Sequence, residues 1–389
     1  MIYLDHAATT PVRPEVLEAM LPYFGEQFGN PSSVHRVGLA AGDAVAKARR
    51  TLGDLVGLPA SSVVFTAGGT EADVLALRGV ALGPGGRARS IVLSAIEHPA
   101  VLETGRALEA DGVELRIVGV NPEGRVDPQE VANAVDASTA IVSIMHVNNE
   151  TGAVQPIADL AALVKAKNPR TAVHVDAVQS FARYPVSFAR WSGVDLVSIA
   201  GHKIYGPKGV GALFIRPGAH VKALITGGGQ ESGVRSGTHN VPGIVGLAEA
   251  ARLSSATSAA DLDRYAELAR RFLAGLSLAV PDAAINGAAD ETPPYALRAP
   301  YILNVRFPGV PAEPLLHSLE AEDVLVSAGS ACHSKDAKLS HVLAAMGVRD
   351  ADGGCLRFSF GRATTNDHVD RALDVLGRAV PRLRAVARA

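Results

Sequence analysis

The sequence predicts an α/β protein: a large unit around a mostly parallel, doubly wound sheet, joined to a smaller α+β unit. Three observations carry this. Between about residues 60 and 255, short β-branched runs alternate with Ala/Leu-rich stretches of helical length. Beyond about residue 260 the alternation gives way to strands and helices in mixed order. The 389 residues, 48% of them hydrophobic, are too many for one core. The expected division is 15–258 for the large unit, and 1–14 with 259–389 for the small one.

Taken in order, a strand at 62–66 (Ser62-Val63-Val64-Phe65-Thr66) precedes a helix near 70–80. Ser90-Ile91-Val92-Leu93-Ser94 precedes a helix near 98–110. Ala140-Ile141-Val142-Ser143-Ile144 precedes one near 156–167, and a strand at 172–175 follows. An apolar strand containing Val194, Leu196, Val197 and Ile199 comes next, and Gly227-Gly228-Gly229 breaks the pattern. A long helix at 261–278 opens the smaller unit. The Pro- and Ala-rich stretch 283–298 reads as a loop. Strands are then expected near 301–307, 324–326 and 355–360, and helices near 312–321, 338–346 and 366–379.

The formal net charge is −2 and no stripe of Lys or Arg forms, so neither nucleic acid nor an anionic membrane is an expected partner. No apolar run approaches the roughly 18 residues of a membrane span. The N-terminus lacks the basic start and apolar core of a signal peptide, so a cytoplasmic location is expected. Two cysteines, Cys332 and Cys355, are too few for a structural zinc site, and no metal is expected.

The chemistry is carried at strand ends. Ser198-Ile199-Ala200-Gly201-His202-Lys203 runs from an apolar strand into a glycine-rich turn, and Val173-His174-Val175-Asp176 closes the strand before it. Alone, Lys203 reads equally as a surface lysine and Asp176 as a helix cap. Paired, they suit pyridoxal phosphate: the amine condenses with the cofactor aldehyde, and the carboxylate keeps the pyridine nitrogen protonated. Gly68-Gly69-Thr70 between a strand and a helix is either plain connection or a phosphate cup. His98, opening a helix after a strand, either bonds to backbone or faces the ligand crevice, where it stacks on a ring and moves protons. Asn148 and Asn149 are turn formers or hydrogen-bond donors to a ligand. Arg357, alternating with apolar residues on a strand, needs an anionic partner, and a substrate carboxylate would serve. In Gly329-Ser330-Ala331-Cys332-His333-Ser334-Lys335, small neighbours and two basic side chains suggest an exposed, reactive thiol on a mobile loop.

These motifs in order, with Tyr3-Leu4-Asp5-His6-Ala7-Ala8-Thr9-Thr10, Asn30-Pro31-Ser32-Ser33-Val34-His35, His146-Val147-Asn148-Asn149-Glu150, Arg235-Ser236-Gly237-Thr238 and Arg357-Phe358-Ser359, resemble the cysteine desulfurases. These are pyridoxal-phosphate enzymes of the class V aminotransferase fold (fold type I), and the resemblance covers nearly the whole chain. It implies that Lys203 holds the cofactor covalently, with Asp176 at the pyridine nitrogen and Gln179 at the ring hydroxyl. Asn149 would contact the cofactor hydroxyl and the substrate, while His98 stacks on the ring. Gly69, Thr70, His202 and Thr238 of the second subunit would hold the phosphate. Arg357 would clamp the substrate carboxylate, and Cys332 would accept sulfur as a persulfide. Ala200 stands where the family usually has Ser, so one phosphate hydrogen bond is absent. Lys338-Leu339-Ser340 replaces a common Glu-Pro-Ser.

The implied reaction removes sulfur from L-cysteine, leaving L-alanine and a persulfide. The implied partners are a second copy in a homodimer with shared active sites and a sulfur-acceptor protein, an iron–sulfur scaffold or a thiolation carrier. Alternatives are a selenocysteine or cysteine-sulfinate lyase, a class V aminotransferase, and a non-catalytic cofactor-binding protein.

Overall fold

The computed structural model describes residues 1–83, 89–289, 292–329, 340–349 and 352–388. The chain opens with β1 (Ile2–Tyr3), α1 (Pro14–Met20) and α2 (Arg36–Val56). β2 (Val63–Thr66), α3 (Gly69–Ala81), β3 (Ser90–Ser94), α4 (Pro99–Ala110) and β4 (Glu114–Val118) follow. Next come α5 (Pro128–Asn133), β5 (Thr139–Ser143), α6 (Ile157–Lys167), β6 (Ala172–Asp176), β7 (Leu196–Ala200) and β8 (Gly211–Ile215). The remainder comprises α7 (Val241–Ala279), β9 (Ala284–Ile285), β10 (Ile302–Phe307), α8 (Ala312–Glu320), β11 (Val324–Leu325), α9 (His341–Ala345), β12 (Gly354–Ser359) and α10 (Asn366–Arg388).

Seven strands form the main sheet in the order β2-β8-β7-β6-β5-β3-β4. Pairs β3–β4, β3–β5, β5–β6 and β6–β7 are parallel, while β8 lies antiparallel to both β7 and β2. Alternating side chains feed two cores. Val142, Val173, Val175, Val197 and Ile199 pack with α2, α6 and the first part of α7. Ile91, Leu93, Ile141 and Leu196 pack with α3 and α4. A third core joins the rest of α7 (Leu262 to Leu276) to β10, β12, α8 and α10, and takes in Leu4 and Ala7 from the N-terminus.

Two expectations are corrected. The long helix begins at Val241, twenty residues before the expected 261, and runs unbroken for 39 residues. Its first half carries Gly243, Gly246, Ser254, Ser255 and Ser258, which are weak helix formers, but burial of Ile244, Leu247 and Ala251 holds it. The stretch 283–298 is not all loop: β9 pairs antiparallel with β10 through Val305↔Ile285 and Arg306↔Ala284.

Candidate active site

Lys203, Asp176, His98 and Gly69 all follow or close strands at the carboxyl edge of the parallel sheet, where an open α/β sheet leaves a crevice. β7 ends at Ala200, and a single 3-10 turn (Gly201–Lys203) brings Lys203 over that edge. The chain then reverses through Tyr205, held at φ 66° by a hydrogen bond of 2.8 Å from its N–H to Thr10 Oγ1. Positive φ is costly for a tyrosine, so the turn is imposed by its surroundings. Lys203 Nζ donates to the carbonyls of Ala7 (2.5 Å) and Ala8 (2.8 Å) and has no carboxylate partner among the described residues. Burial, then the nearby Arg357 and Arg183 charges, press its amine down to about 7. A lysine so placed is substantially neutral near neutral pH, which is the form that attacks a carbonyl.

Asp176 closes β6 and is buried. One carboxylate oxygen accepts the Val178 N–H at 2.8 Å. Burial raises its pKa to about 6, against the lowering influence of that hydrogen bond and of Lys203. Gln179 donates through Nε2 to the Ala7 carbonyl at 2.9 Å, and its buried Oε1 has no hydrogen-bond partner among the described residues. His98 caps α4: Nδ1 accepts the Ala100 N–H at 3.1 Å, which leaves Nε2 as the free edge of the ring. The backbone-bonded and the ligand-facing readings of His98 therefore describe its two nitrogens. Burial first, then Lys203, lower its pKa to about 4, so the ring is neutral.

Gly69 opens α3, and a Cβ there would lie 2.7 Å from Val178 Cγ2, so only glycine lets the helix start approach the sheet edge this closely. Gly69, Thr70 and His202 line a cavity of about 770 Å³, with Ala8, Thr9 and Arg235. Ala200 Cβ sits 3.5 Å from that same Gly69 Cβ position, facing the helix start. His202 Nδ1 lies 3.1 Å from Thr9 Oγ1. Thr238 is exposed and does not line the cavity of its own chain.

Arg357 on β12 is only 2% exposed. It is not a lone cation awaiting a ligand: Nη2 donates to Asp5 at 2.7 Å and Nη1 to the backbone carbonyl of Asn149 at 2.8 Å. Sequence reasoning missed Asp5 because its partner lies 352 residues away. The two asparagines separate. Asn148 is buried and spends its amide on the turn, accepting the Glu150 and Thr151 N–H groups, whereas the side chain of Asn149 makes no hydrogen bond among the described residues. The expectation for Cys332 lies outside the described residues. Cys355 is buried on β12, with Asn286 Nδ2 3.3 Å from its sulfur.

Three further groups back the site. Glu97 is wholly buried, bonded to Ser94 and to the Met145 N–H (2.9 Å), and burial raises its pKa to about 8, so it is a neutral prop beneath His98. Arg183 donates to the Lys203 carbonyl at 2.8 Å and stacks over Tyr301. His341 Nε2 donates to the Glu97 carbonyl at 2.9 Å, tying α9 to the start of α4. The readable signal for the Glu97 pair is a Ser and a Glu three apart at the end of an otherwise apolar strand.

Pyridoxal phosphate fits these residues. A helix start stripped of side chains can take a phosphate, a buried carboxylate with one open oxygen can face a ring nitrogen, and a desolvated amine stands nearby. The class V aminotransferase family model matches residues 2–372. A protein named cysteine desulfurase IscS, from Dictyoglomus turgidum, is 41% identical over 387 residues, covering 99% of this chain and 96% of that one. A solved structure titled NifS-like protein superposes with a TM-score of 0.90 at 37% identity, covering 98% of this chain and all of that one. Another, titled SspA in complex with cysteine, gives 0.79 at 32% identity over 92% of this chain and 99% of its own. Strand-end lysine, buried aspartate and glycine-opened helix thus occur in a chain that belongs to the class V aminotransferases, within the cysteine desulfurase family, whose members are pyridoxal-phosphate enzymes.

Proposed function

We propose that this chain is a pyridoxal-phosphate-dependent cysteine desulfurase. It takes sulfur from L-cysteine, releases L-alanine and leaves a persulfide on Cys332 for transfer to an acceptor. The observation that carries this is Lys203: a buried strand-end amine held on the Ala7 and Ala8 carbonyls, its pKa pressed down to about 7 by burial and by the Arg357 charge and raised in part by Asp176. When bound, the cofactor supplies an aldehyde and a ring that delocalises the electrons of the substrate Cα–H bond. Asp176 would face the ring nitrogen, and Gln179 Oε1 would accept from the ring hydroxyl. Gly69, Thr70 and His202 would hold the phosphate. Lys203 Nζ would take the Cα proton, and His98 Nε2 would carry a proton at the sulfur side. Arg357 would fix the substrate carboxylate, with the Asn149 side chain beside it. The Cys332 thiolate would attack the substrate sulfur, forming S–S as Cβ–S breaks.

The related SspA structure, titled as a complex with cysteine, favours this substrate. A homodimer is part of the proposal. Thr238 is exposed and would serve a second copy, which would cover the apolar surface left by Leu21, Phe24, Phe28, Val34 and Leu39. The division at 258 belongs to it as well, since α7 contributes to one core before that point and to another after it. The acceptor would be an iron–sulfur scaffold or a thiolation carrier in the cytoplasm. Among the described residues no helix is long and apolar enough to cross a membrane.

The test is Cys332→Ser. The variant should retain cofactor colour and the spectral change on adding cysteine, because those depend on Lys203 and Asp176, while alanine and sulfide production fall together. Alanine released at the wild-type rate would remove the persulfide route. A keto acid product would mark an aminotransferase.

A further inference from the structure

The sheet face beneath α3 is apolar at Ile91, Leu93, Ile141 and Leu196 but turns polar two residues further along β5 and β7, and at the middle of β6. Ser143, His174 and Ser198 all point there, on strands whose other face is Val and Ile. In register, Ser143 pairs with His174 and Ser198 with Asp176. His174 is fully buried and bonded at both ring nitrogens: Nδ1 lies 2.8 Å from Ser143 Oγ and Nε2 2.8 Å from Ser198 Oγ. From α3, Asp73 completes the row. It is 1% exposed and interacts with the Ser198 hydroxyl. Its Oδ1 lies 3.7 Å from His174 Nε2, beyond hydrogen-bond distance, and has no hydrogen-bond partner. No Lys or Arg pairs with Asp73 among the described residues.

We propose that Asp73 is a positioning residue, held as the neutral acid at the head of a hydrogen-bond chain Asp73–Ser198–His174–Ser143, so that Asp176 carries the negative charge of this pocket. The link to the cofactor rests on the function proposed above. Two carboxyls sharing a dry pocket cannot both ionise cheaply, and the one left protonated needs an acceptor for its proton. Ser198 is that acceptor. As an acid, Asp73 donates to Ser198 Oγ, Ser198 donates to His174 Nε2, and His174 Nδ1–H donates to Ser143 Oγ. As a carboxylate, Asp73 would reverse all three bonds and put the imidazole proton on Nε2. The titratable groups facing Asp73 are Asp176 and His174 from β6 and Glu97 from the turn after β3; Lys203 faces Asp176. Burial, then the Asp176 charge, raise the Asp73 pKa well above the usual range, and burial lowers that of His174 to about 3, so the ring stays neutral. Lys203 lowers the Asp176 pKa, whereas no Lys or Arg among the described residues does the same for Asp73.

The experiment uses full-length protein without cofactor. A raised carboxyl pKa means that the folded chain keeps a proton the unfolded chain has lost, so stability falls as pH rises from the unfolded value toward the folded one. Asp73→Asn keeps a donor for Ser198 and has no proton to lose. Between pH 5 and 7 its unfolding constant should rise less steeply than that of wild type, by up to about tenfold per pH unit for one proton. In wild-type protein labelled with ¹⁵N-histidine, His174 should be the Nδ1–H tautomer at pH 7. This second readout needs no variant to fold. Equal slopes, or the Nε2–H tautomer, overturn the proposal. Neither readout depends on cofactor uptake, so a failure of Lys203 to bind pyridoxal phosphate would refute the proposed function and leave this result standing.

Discussion

Replacing Arg357 with lysine tests the substrate end of the site. The guanidinium is held on two sides, by Asp5 at 2.7 Å and the Asn149 carbonyl at 2.8 Å, and is almost wholly buried. An ammonium on a shorter, unbranched head can reach one of these partners but cannot present two parallel N–H groups to a carboxylate as well. Hydrogen bonds involving a charged group contribute about 1.5–3 kcal/mol each. Losing one of the pair to the substrate therefore weakens cysteine binding by about ten- to hundredfold, at about 1.4 kcal/mol per decade. The assay compares the concentration dependence of the cofactor spectral change for L-cysteine and for cysteamine, which lacks the carboxylate. Arg357→Lys should weaken L-cysteine by that factor and leave cysteamine within about threefold. Unaltered L-cysteine affinity, or equal losses for both amines, would refute the clamp.

Lys203 supplies a pH test with a defined sign. Its amine is lowered from 10.5 to about 7, so reductive fixing of pyridoxal phosphate onto cofactor-free protein should rise through pH 6–8 and then level, with the adduct on the Lys203 peptide. A rate still climbing at pH 9, or an adduct on Lys208, contradicts the assignment. Because the folded chain binds fewer protons at this amine than the unfolded chain between about 7 and 10.5, stability gains from it as pH rises across that window, and Lys203→Met should flatten the gain. Ala200→Ser would place a hydroxyl at the start of α3; at most about 1.5–3 kcal/mol, less any displaced water, should tighten the cofactor, and a faster cofactor off-rate would show that Ala200 does not face the phosphate. Cys355→Ser should keep near-normal turnover, since burial raises the thiol pKa and Asn286 already holds the sulfur; loss of alanine production would make that cysteine chemical.

By itself the sequence determined the features with short-range causes. β-branched runs and helical spacing located most strands and helices to within a few residues, because periodicity is a local property. The glycines before α3 and the Gly-His-Lys turn after β7 marked strand-to-helix corners, and a doubly wound sheet gathers such corners at one edge. Lys203, Asp176, His98 and Gly69 were legible for that reason. Tertiary structure alone decided what those groups touch. Ala7 and Ala8 receive the Lys203 amine across nearly two hundred residues, Asp5 answers Arg357 across almost the whole chain, and α7 holds a helix through its Gly- and Ser-rich first half because its neighbours bury it. Asp73, His174, Ser143 and Ser198 each look unremarkable in their own segment. They come together only when the register of β5, β6 and β7 sets them side by side beneath α3, and burial there raises the Asp73 pKa and keeps the His174 ring neutral.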